Sequence, residues 1–426
     1  AAWGDYDNDG DPDLYVTNAG GENNFLYRNE GGGNFVRITS GDLVNDGADS
    51  RSASWGDYDN DGDLDLFVSN GGNNFLYRND GGGNFILQNS GPIFDDADNS
   101  FGASWGDYDN DGDLDLFVAN GSGQHNCLYR NDDWEHTFTK ISEGDIVNDG
   151  GNSWGANWGD YDNDGFLDLF VGNAPNNLLY HNNGDGTFSR ITDGPVVSGS
   201  NGNGAAWGDY DNDGDLDLFV ANVGENNFLY RNHGDGTFER IWDGEIASDH
   251  GYSRSCSWVD YDNDGWLDLF VANSNGEDNF LYKNNGDGSF FRIWDVPFVN
   301  DGGESYTGSW GDYDNDGDLD LFVVNLNGEN NALYQNNGDN SFNRIYDGEM
   351  VNDGGNSISC GWGDYDNDRD LDLFVANNSG ENNFLYQNNG DGSFTRISEG
   401  AIVNDGGNAL GSAWADYDND GWLDLV

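Results

Sequence analysis

Nine short segments of this 426-residue chain share one arrangement of acids, Asp-x-Asp-x-Asp-Gly-x-x-Asp, with Arg369 in place of the Gly in the eighth. The carboxylates are Asp5, Asp7, Asp9 and Asp13; Asp57, Asp59, Asp61 and Asp65; Asp107, Asp109, Asp111 and Asp115; Asp160, Asp162, Asp164 and Asp168; Asp209, Asp211, Asp213 and Asp217; Asp260, Asp262, Asp264 and Asp268; Asp312, Asp314, Asp316 and Asp320; Asp364, Asp366, Asp368 and Asp372; and Asp416, Asp418, Asp420 and Asp424. Three carboxylates at alternate positions of a tight turn converge on one point, the Gly permits the bend, and the last Asp closes the shell. An oxygen-only, flexible and highly charged set of this kind suits Ca²⁺ better than Mg²⁺ or Zn²⁺. The seventh position is Asp in six loops but Phe166, Trp266 and Trp422 in the others. Such variety fits a backbone carbonyl ligand, not a side chain. An Asp-Asn-Asp-Gly turn also forms without metal. Four like charges in each of nine loops, however, repel one another unless a cation sits among them, and about one Ca²⁺ per repeat, up to nine, is expected. The loop is not an EF-hand. Position twelve is Val16, Val68, Val118, Val171, Val220, Val271, Val323 or Val375, inside an expected strand, where that motif needs a Glu and a helix.

Catalysis has weaker support. His125, His136, His181, His233 and His250 share no repeat position, so no zinc or acid–base constellation is visible. Paired Asp suits glycoside hydrolysis, yet these Asp recur equally in every loop, whereas an active site is a single break in the symmetry. The basic residues are periodic too. Arg28, Arg78, Arg130, Arg231 and Lys283 follow a Tyr. Arg37, Lys140, Arg190, Arg240, Arg292, Arg344 and Arg396 precede an Ile, or its equivalent. An ion pair within or between repeats is the favoured reading over an anion-binding ring, because a residue needed in every repeat maintains the repeat. Trp242, Trp294 and Tyr346 occupy one equivalent position in three consecutive repeats, where others carry small polar residues such as Thr or Ser. Packing under the next loop is favoured over a sugar-stacking row. Asn18, Asn70, Asn120, Asn173, Asn222, Asn273, Asn325 and Asn377 read as turn formers.

The elements that carry the loops follow from a period near 50 residues. Trp3, Trp55, Trp105, Trp158, Trp207, Trp258, Trp310, Trp362 and Trp414 each open a repeat, giving eight full repeats and a partial ninth in one array over 1–426, with no linker. Four short strands per repeat are expected: one around the Trp, one equivalent to Leu64–Val68, one to Phe75–Arg78 and one to Phe238–Ile241. Frequent Gly, Asn and Asp leave almost no room for helix. The second strand is apolar on both faces, as in a sheet covered on both sides. Asn183–Gly186 reads as a hairpin turn. The fold expected is all-β, a propeller of four-stranded blades with about eight blades, the alternative being an open superhelical array. The chain starts inside a first strand and stops inside a second, two strands beyond a closed eight-bladed ring; that raggedness keeps a filament of head-to-tail copies in play.

Composition narrows the partners. The chain has 15 Lys and Arg against 80 Asp and Glu, a net charge of −65. A polyanion needs a cationic face, so nucleic acid is excluded and an anionic membrane surface disfavoured. No apolar run is long enough to cross a bilayer. Cys127, Cys256 and Cys360 suggest no disulfide framework.

The stretch Trp-Gly-Asp-Tyr-Asp-Asn-Asp-Gly-Asp-Leu-Asp-Leu, followed by Asn-Gly-Asp-Gly-Thr-Phe, resembles the VCBS/FG-GAP repeats, the calcium-loop blades of integrin α-subunits and of many secreted bacterial proteins. The resemblance runs the length of the chain. It implies a β-propeller, Ca²⁺ held by the four Asp of each loop, and an extracellular or cell-surface location. Two features depart from the family: Arg369 replaces the loop Gly of repeat eight, and the chain carries more than the usual seven blades. The expectation is a non-catalytic platform for adhesion or for binding a protein or glycan. A structural subunit of an extracellular filament, binding copies of itself, is the alternative, and a non-catalytic part of a secreted enzyme the outsider.

Overall fold

A computed structural model describes residues 2–8, 13–29, 35–81, 83–131, 137–174, 176–197, 202–300, 302–366, 368–398 and 403–404. The ninth loop, with Asp416, Asp418, Asp420 and Asp424, and Asp9 of the first loop lie outside the described residues. The chain divides into two compact units, repeats one to four in one and repeats five to eight in the other.

Each of the eight repeats builds four antiparallel strands that pair in chain order. In repeat two they are Ser50–Gly56, Asp65–Asn73, Phe75–Asn79 and Phe85–Leu87. In repeat five they are Gly202–Gly208, Asp217–Asn226, Phe228–Asn232 and Phe238–Ile241. The fourth of these coincides with the sequence expectation, while the second runs past it, because strand pairing continues beyond the apolar stretch. Pairing of Gly71 with Asn99 joins the sheets of repeats two and three, and pairing of Val223 with Tyr252 joins those of repeats five and six. Short 3₁₀ turns such as Glu245–Ala247, and one helical turn at Pro92–Asp95, follow the fourth strands. The expected hairpin turn is present: Asn183 N–H donates to Thr187 O at 2.9 Å, and Gly184 and Gly186 hold φ of 69° and 79°.

Register explains the packing. Trp55 lies opposite Leu66, and Gly56 opposite Asp65, so the closing Asp of the loop is the first residue of the second strand. Alternation then points Leu66 and Val68 back onto Tyr15 and Leu26 of repeat one, and Phe67 forward onto Leu116 and Val118 of repeat three. Repeat seven does the same: Leu321 and Val323 pack with Phe270 and Leu281, and Phe322 and Val324 with Leu373 and Val375. The core is therefore the interface between successive sheets.

The repeat Trp joins one repeat to the one before. The Trp258 indole N–H donates to Ala206 O at 3.2 Å, and its ring stacks on Tyr210 with centroids 5.9 Å apart. Trp362 treats Ser309 and Tyr313 in the same way, at 3.2 and 6.0 Å. Where a Gly follows the Trp it makes room for this contact; Val259 and Ala415 hold that place after Trp258 and Trp414. A Cβ at Gly208 would fall 2.6 Å from the Trp258 ring, and one at Gly311 2.7 Å from Trp362. All three cysteines are free.

Candidate metal centres

Each loop is held by its own carboxylates. In repeat two the first Asp accepts from the backbone: Asp61 N–H donates to Asp57 Oδ1 at 3.1 Å and Gly62 N–H to Oδ2 at 3.0 Å. Asp63 N–H donates to Asp61 Oδ1 at 3.0 Å. The closing Asp65, fully buried, accepts from Tyr58 N–H at 3.1 Å and from Asn79 N–H at 2.8 Å, which ties the loop to the third strand. The pattern recurs in repeat six with Asp260, Asp264 and Asp268. The turn needs left-handed backbone at two places. The central Asn60 and Asn263 have φ of 54° and 57°, and Gly62 and Gly265 have 89° and 88°. Arg369 adopts φ 78° in the glycine place, and its N–H still donates to Asp364 Oδ2 at 2.7 Å.

Three of the loop carboxylates come together at a time, and which three differs between repeats. Ligand-capable oxygens of Asp5, Asp7 and Asp13 lie within 4.8 Å of one another, as do those of Asp57, Asp59 and Asp61, and of Asp107, Asp109 and Asp115. In repeat four His181 joins Asp162 and Asp168 in the same way. The fit to a cation rests on one recurrent atom. Oδ1 of the second loop Asp is buried without a hydrogen bond in Asp109, Asp162, Asp211, Asp262, Asp314 and Asp366. A buried carboxylate oxygen with no donor is costly, and a cation held by oxygen ligands is what would satisfy it.

Electrostatics agree. Burial, followed by the neighbouring loop carboxylates and offset by backbone donors, pushes the closing Asp65, Asp115, Asp217, Asp320 and Asp372 up to about 8. Asp168 and Asp268 rise to about 7 and Asp13 to about 9. Burial first, then like charge from the adjacent Asp, raises Asp109, Asp162 and Asp366 as well.

The seventh loop position turns its side chain to other work. Asp63 accepts from Asn8 of the preceding repeat at 2.6 Å, Asp113 from Asn60 at 2.7 Å and Asp370 from Asn315 at 2.7 Å. Successive loops are thus laced side by side within each unit. Phe166 and Trp266, which cannot accept, sit against Gly184 and Gly286 of the hairpin turn, as Asp63 and Asp370 sit against Gly81 and Gly390.

The periodic cations divide into two sets of ion pairs. Those on the third strand reach into the loops: Arg231 Nη2 lies 2.6 Å from Asp211, and Lys283 Nζ 2.5 Å from both Asp262 and Asp264. On the fourth strand, Arg190 pairs with Asp149 of the preceding repeat at 2.6 Å, Arg292 with Asp249 at 3.1 Å and Arg396 with Asp353 at 2.8 Å, whereas Arg240 has no acidic partner among the described residues and lies between the Phe228 and Trp242 rings. At the third-strand position His181, Gln335 and Gln387 replace the cation. His181 Nδ1 is 3.0 Å from Asp162, and Gln335 Nε2 donates to Asp314 at 2.5 Å. Residue type concealed these three; equivalence of position with Arg231 would have found them.

The strand-ending asparagines are more than turn formers. Asn70, Asn120, Asn273, Asn325 and Asn377 are buried in a polar ladder that crosses between repeats. Asn279 Nδ2 donates to Ser305 Oγ at 3.2 Å, and Ser305 Oγ to Asn325 Oδ1 at 2.9 Å. Asn331 then donates to Ser357 at 3.0 Å, and Ser357 to Asn377 at 2.6 Å. A second link runs from the end of the third strand to the acidic loop of the previous repeat, as Asn336 Nδ2 donates to Tyr261 O at 2.8 Å and Asn388 to Tyr313 O at 2.7 Å. The aromatic row also differs from expectation. Trp242, Trp294 and Tyr346 are 71%, 52% and 72% exposed, so no neighbouring loop covers them.

Stacked four-stranded sheets with an acidic, cation-shaped loop at the same place in each repeat define a class, the acidic-loop β-propeller blades. The chain belongs to the FG-GAP-like repeat family, whose pattern matches residues 5–68, 57–118, 107–171, 160–220, 209–271, 260–323, 312–375 and 364–426. Cartilage acidic protein 1 of Homo sapiens is 30% identical over 171 residues, covering 37% of this chain and 25% of that protein. The chain spans about a quarter of the length of the curated relatives it matches. Among solved structures, an Agrocybe aegerita lectin that recognises non-reducing terminal N-acetylglucosamine is 17% identical, with a TM-score of 0.52 over 78% of this chain and 88% of that one. A Bacillus licheniformis rhamnogalacturonan lyase is 13% identical, with a TM-score of 0.53 over 96% of this chain and 76% of that one. These two share the fold.

Proposed function

We propose that this chain is an extracellular, calcium-binding, non-catalytic platform for a protein or glycan ligand. The observation that carries the reading is the same carboxylate cluster in repeat after repeat, with a buried Oδ1 left without a donor at the second Asp. In this reading the four loop Asp hold one Ca²⁺ per repeat. The ion supplies charge neutralisation and cross-links the loop to its second strand; the ligand is bound elsewhere on the scaffold. Millimolar free Ca²⁺ outside cells would keep low-affinity oxygen sites filled, which favours an extracellular setting. A site that recurs in every repeat supports scaffolding over catalysis. The two structural neighbours, a lectin for N-acetylglucosamine and a rhamnogalacturonan lyase, make a glycan ligand worth testing first. Calorimetric titration of chelator-treated protein with CaCl₂ tests the reading. Several equivalents of Ca²⁺ should bind, and Asp65→Asn with Asp268→Asn should remove two of them. Binding of no Ca²⁺, or an undiminished number in the double variant, would refute the assignment.

A further inference from the structure

Most large aromatics of this protein are buried, but Trp242, Trp294 and Tyr346 are not. Each follows the fourth strand of its repeat, at intervals of 52 residues in repeats five, six and seven, all within one compact unit. Thr39, Asn89, Ser142, Thr192 and Ser398 hold the place elsewhere, so the fold does not need an aromatic there.

The rings are held in place. The Arg240 guanidinium carbon lies 3.9 Å from the Trp242 ring centroid and 3.5 Å from that of buried Phe228. Arg292 lies 3.8 Å from Trp294 and 4.2 Å from Phe280. Arg344 stands more loosely between Tyr346 and Tyr334, at 5.6 and 5.7 Å. A cation sandwiched between a core ring and a surface ring fixes the outer ring. Asn300 Nδ2 donates to Trp294 O at 2.8 Å, and Asn352 Nδ2 to Tyr346 O at 3.0 Å, fixing the backbone as well. One face of each ring is therefore occupied by a guanidinium, while more than half of the side chain remains in solvent. An exposed carboxylate follows each ring: Asp243, Asp295 and Asp347.

We propose that this row binds an uncharged polysaccharide, one ring for each contact along the chain; the proposal rests on the platform reading above. A pyranose presents a face of C–H groups and a rim of hydroxyls. A held aromatic face beside a carboxylate acceptor matches both, and a rigid ring loses little freedom on stacking. Three facts favour this occupant. The rings recur once per repeat at one position, and in their unit Phe291 is the only other exposed large hydrophobic among the described residues, with exposed Asp and Gly beside the rings, whereas the centre of a protein interface requires a continuous apolar patch. The net charge of −65 opposes a polyanion such as an acidic polysaccharide. A regular series of like contacts suits a polymer of like units.

The experiment uses the full chain in CaCl₂ and affinity electrophoresis through gels containing hydroxyethylcellulose, glucomannan or xylan, with polygalacturonate and an empty gel beside them. Wild type should be retarded by at least one neutral polymer. Each single change, Trp242→Ala, Trp294→Ala or Tyr346→Ala, should weaken retardation by roughly threefold, and the triple variant should run as in the empty gel. Because the rings are exposed, the triple variant should keep the wild-type melting temperature and calcium stoichiometry, which separates lost binding from lost fold. Retardation that survives the triple substitution would overturn the row while leaving the platform reading intact. Retardation by polygalacturonate alone, or by none of the polymers, would also overturn the row.

Discussion

Removing calcium should turn the dependence of stability on pH upside down. The closing carboxylates Asp65, Asp115, Asp217, Asp320 and Asp372 stand at about 8 in the metal-free fold, against an ordinary value of 3.8. Below 3.8 both the folded and the unfolded chain hold the proton, and the favourable contribution is complete. As pH rises past that value the unfolded chain releases the proton and the folded chain keeps it, so the fold loses stability until the buried group itself ionises near 8. The slope is about 1.4 kcal/mol per pH unit for each site. From about pH 5 to about pH 7 that is roughly 3 kcal/mol per closing Asp. Two or three such sites would match the whole stability of an ordinary domain, about 5–15 kcal/mol. The metal-free chain should therefore unfold, or nearly so, as neutrality is approached. If the loops hold Ca²⁺ as proposed, the ion takes the place of the proton on the ionised carboxylate, so its stabilisation should grow over the same interval. Circular-dichroism melts at stepped pH, with chelator and with millimolar CaCl₂, measure both slopes. A melting temperature in chelator that is flat or rising across the interval would refute the reasoning, as would a calcium-induced shift that does not increase with pH.

Other expectations follow from individual contacts. Lys283 places its ammonium 2.5 Å from Asp262 and Asp264, where it competes with a metal, so Lys283→Gln should tighten calcium binding at repeat six by about tenfold, read by calorimetry. Asn336→Ala removes the donor to Tyr261 O and leaves a buried carbonyl unsatisfied; urea unfolding in CaCl₂ should show a loss of about 1–3 kcal/mol. Arg369 holds φ 78° where the other described loops have glycine, so Arg369→Gly should stabilise the calcium-bound protein by about 1 kcal/mol in the same assay.

The loops were legible because their information is local. Asp57, Asp59, Asp61 and Asp65 lie within nine residues, and a tight turn can bring them together only in a few ways. The strands were legible for a similar reason: Leu66, Phe67 and Val68 are all apolar, and both faces of their strand prove to be covered. The roles that escaped the sequence depend on partners far along the chain. Asn325 has the composition of a turn residue, yet it is fixed by Ser305 and Asn331 in a ladder reaching into the neighbouring repeats. His181 looks solitary among the histidines until the third strand sets it beside Asp162.

The repeat, the four-strand unit and the acidic loop could be read from the chain alone, because each is written in short-range alternation of apolar, turn-forming and carboxylate residues. Tertiary structure decided which of the remaining residues meet. It placed the Arg231 and Lys283 cations in the loops, gave Gly208 and Gly311 their purpose by setting the next repeat's indole against them, and left Trp242, Trp294 and Tyr346 in solvent. The physical reason is that burial and ion pairing belong to strand pairing and to the stacking of one sheet on the next, and a residue's neighbours there lie about twenty to seventy-five positions away, beyond the reach of any local pattern.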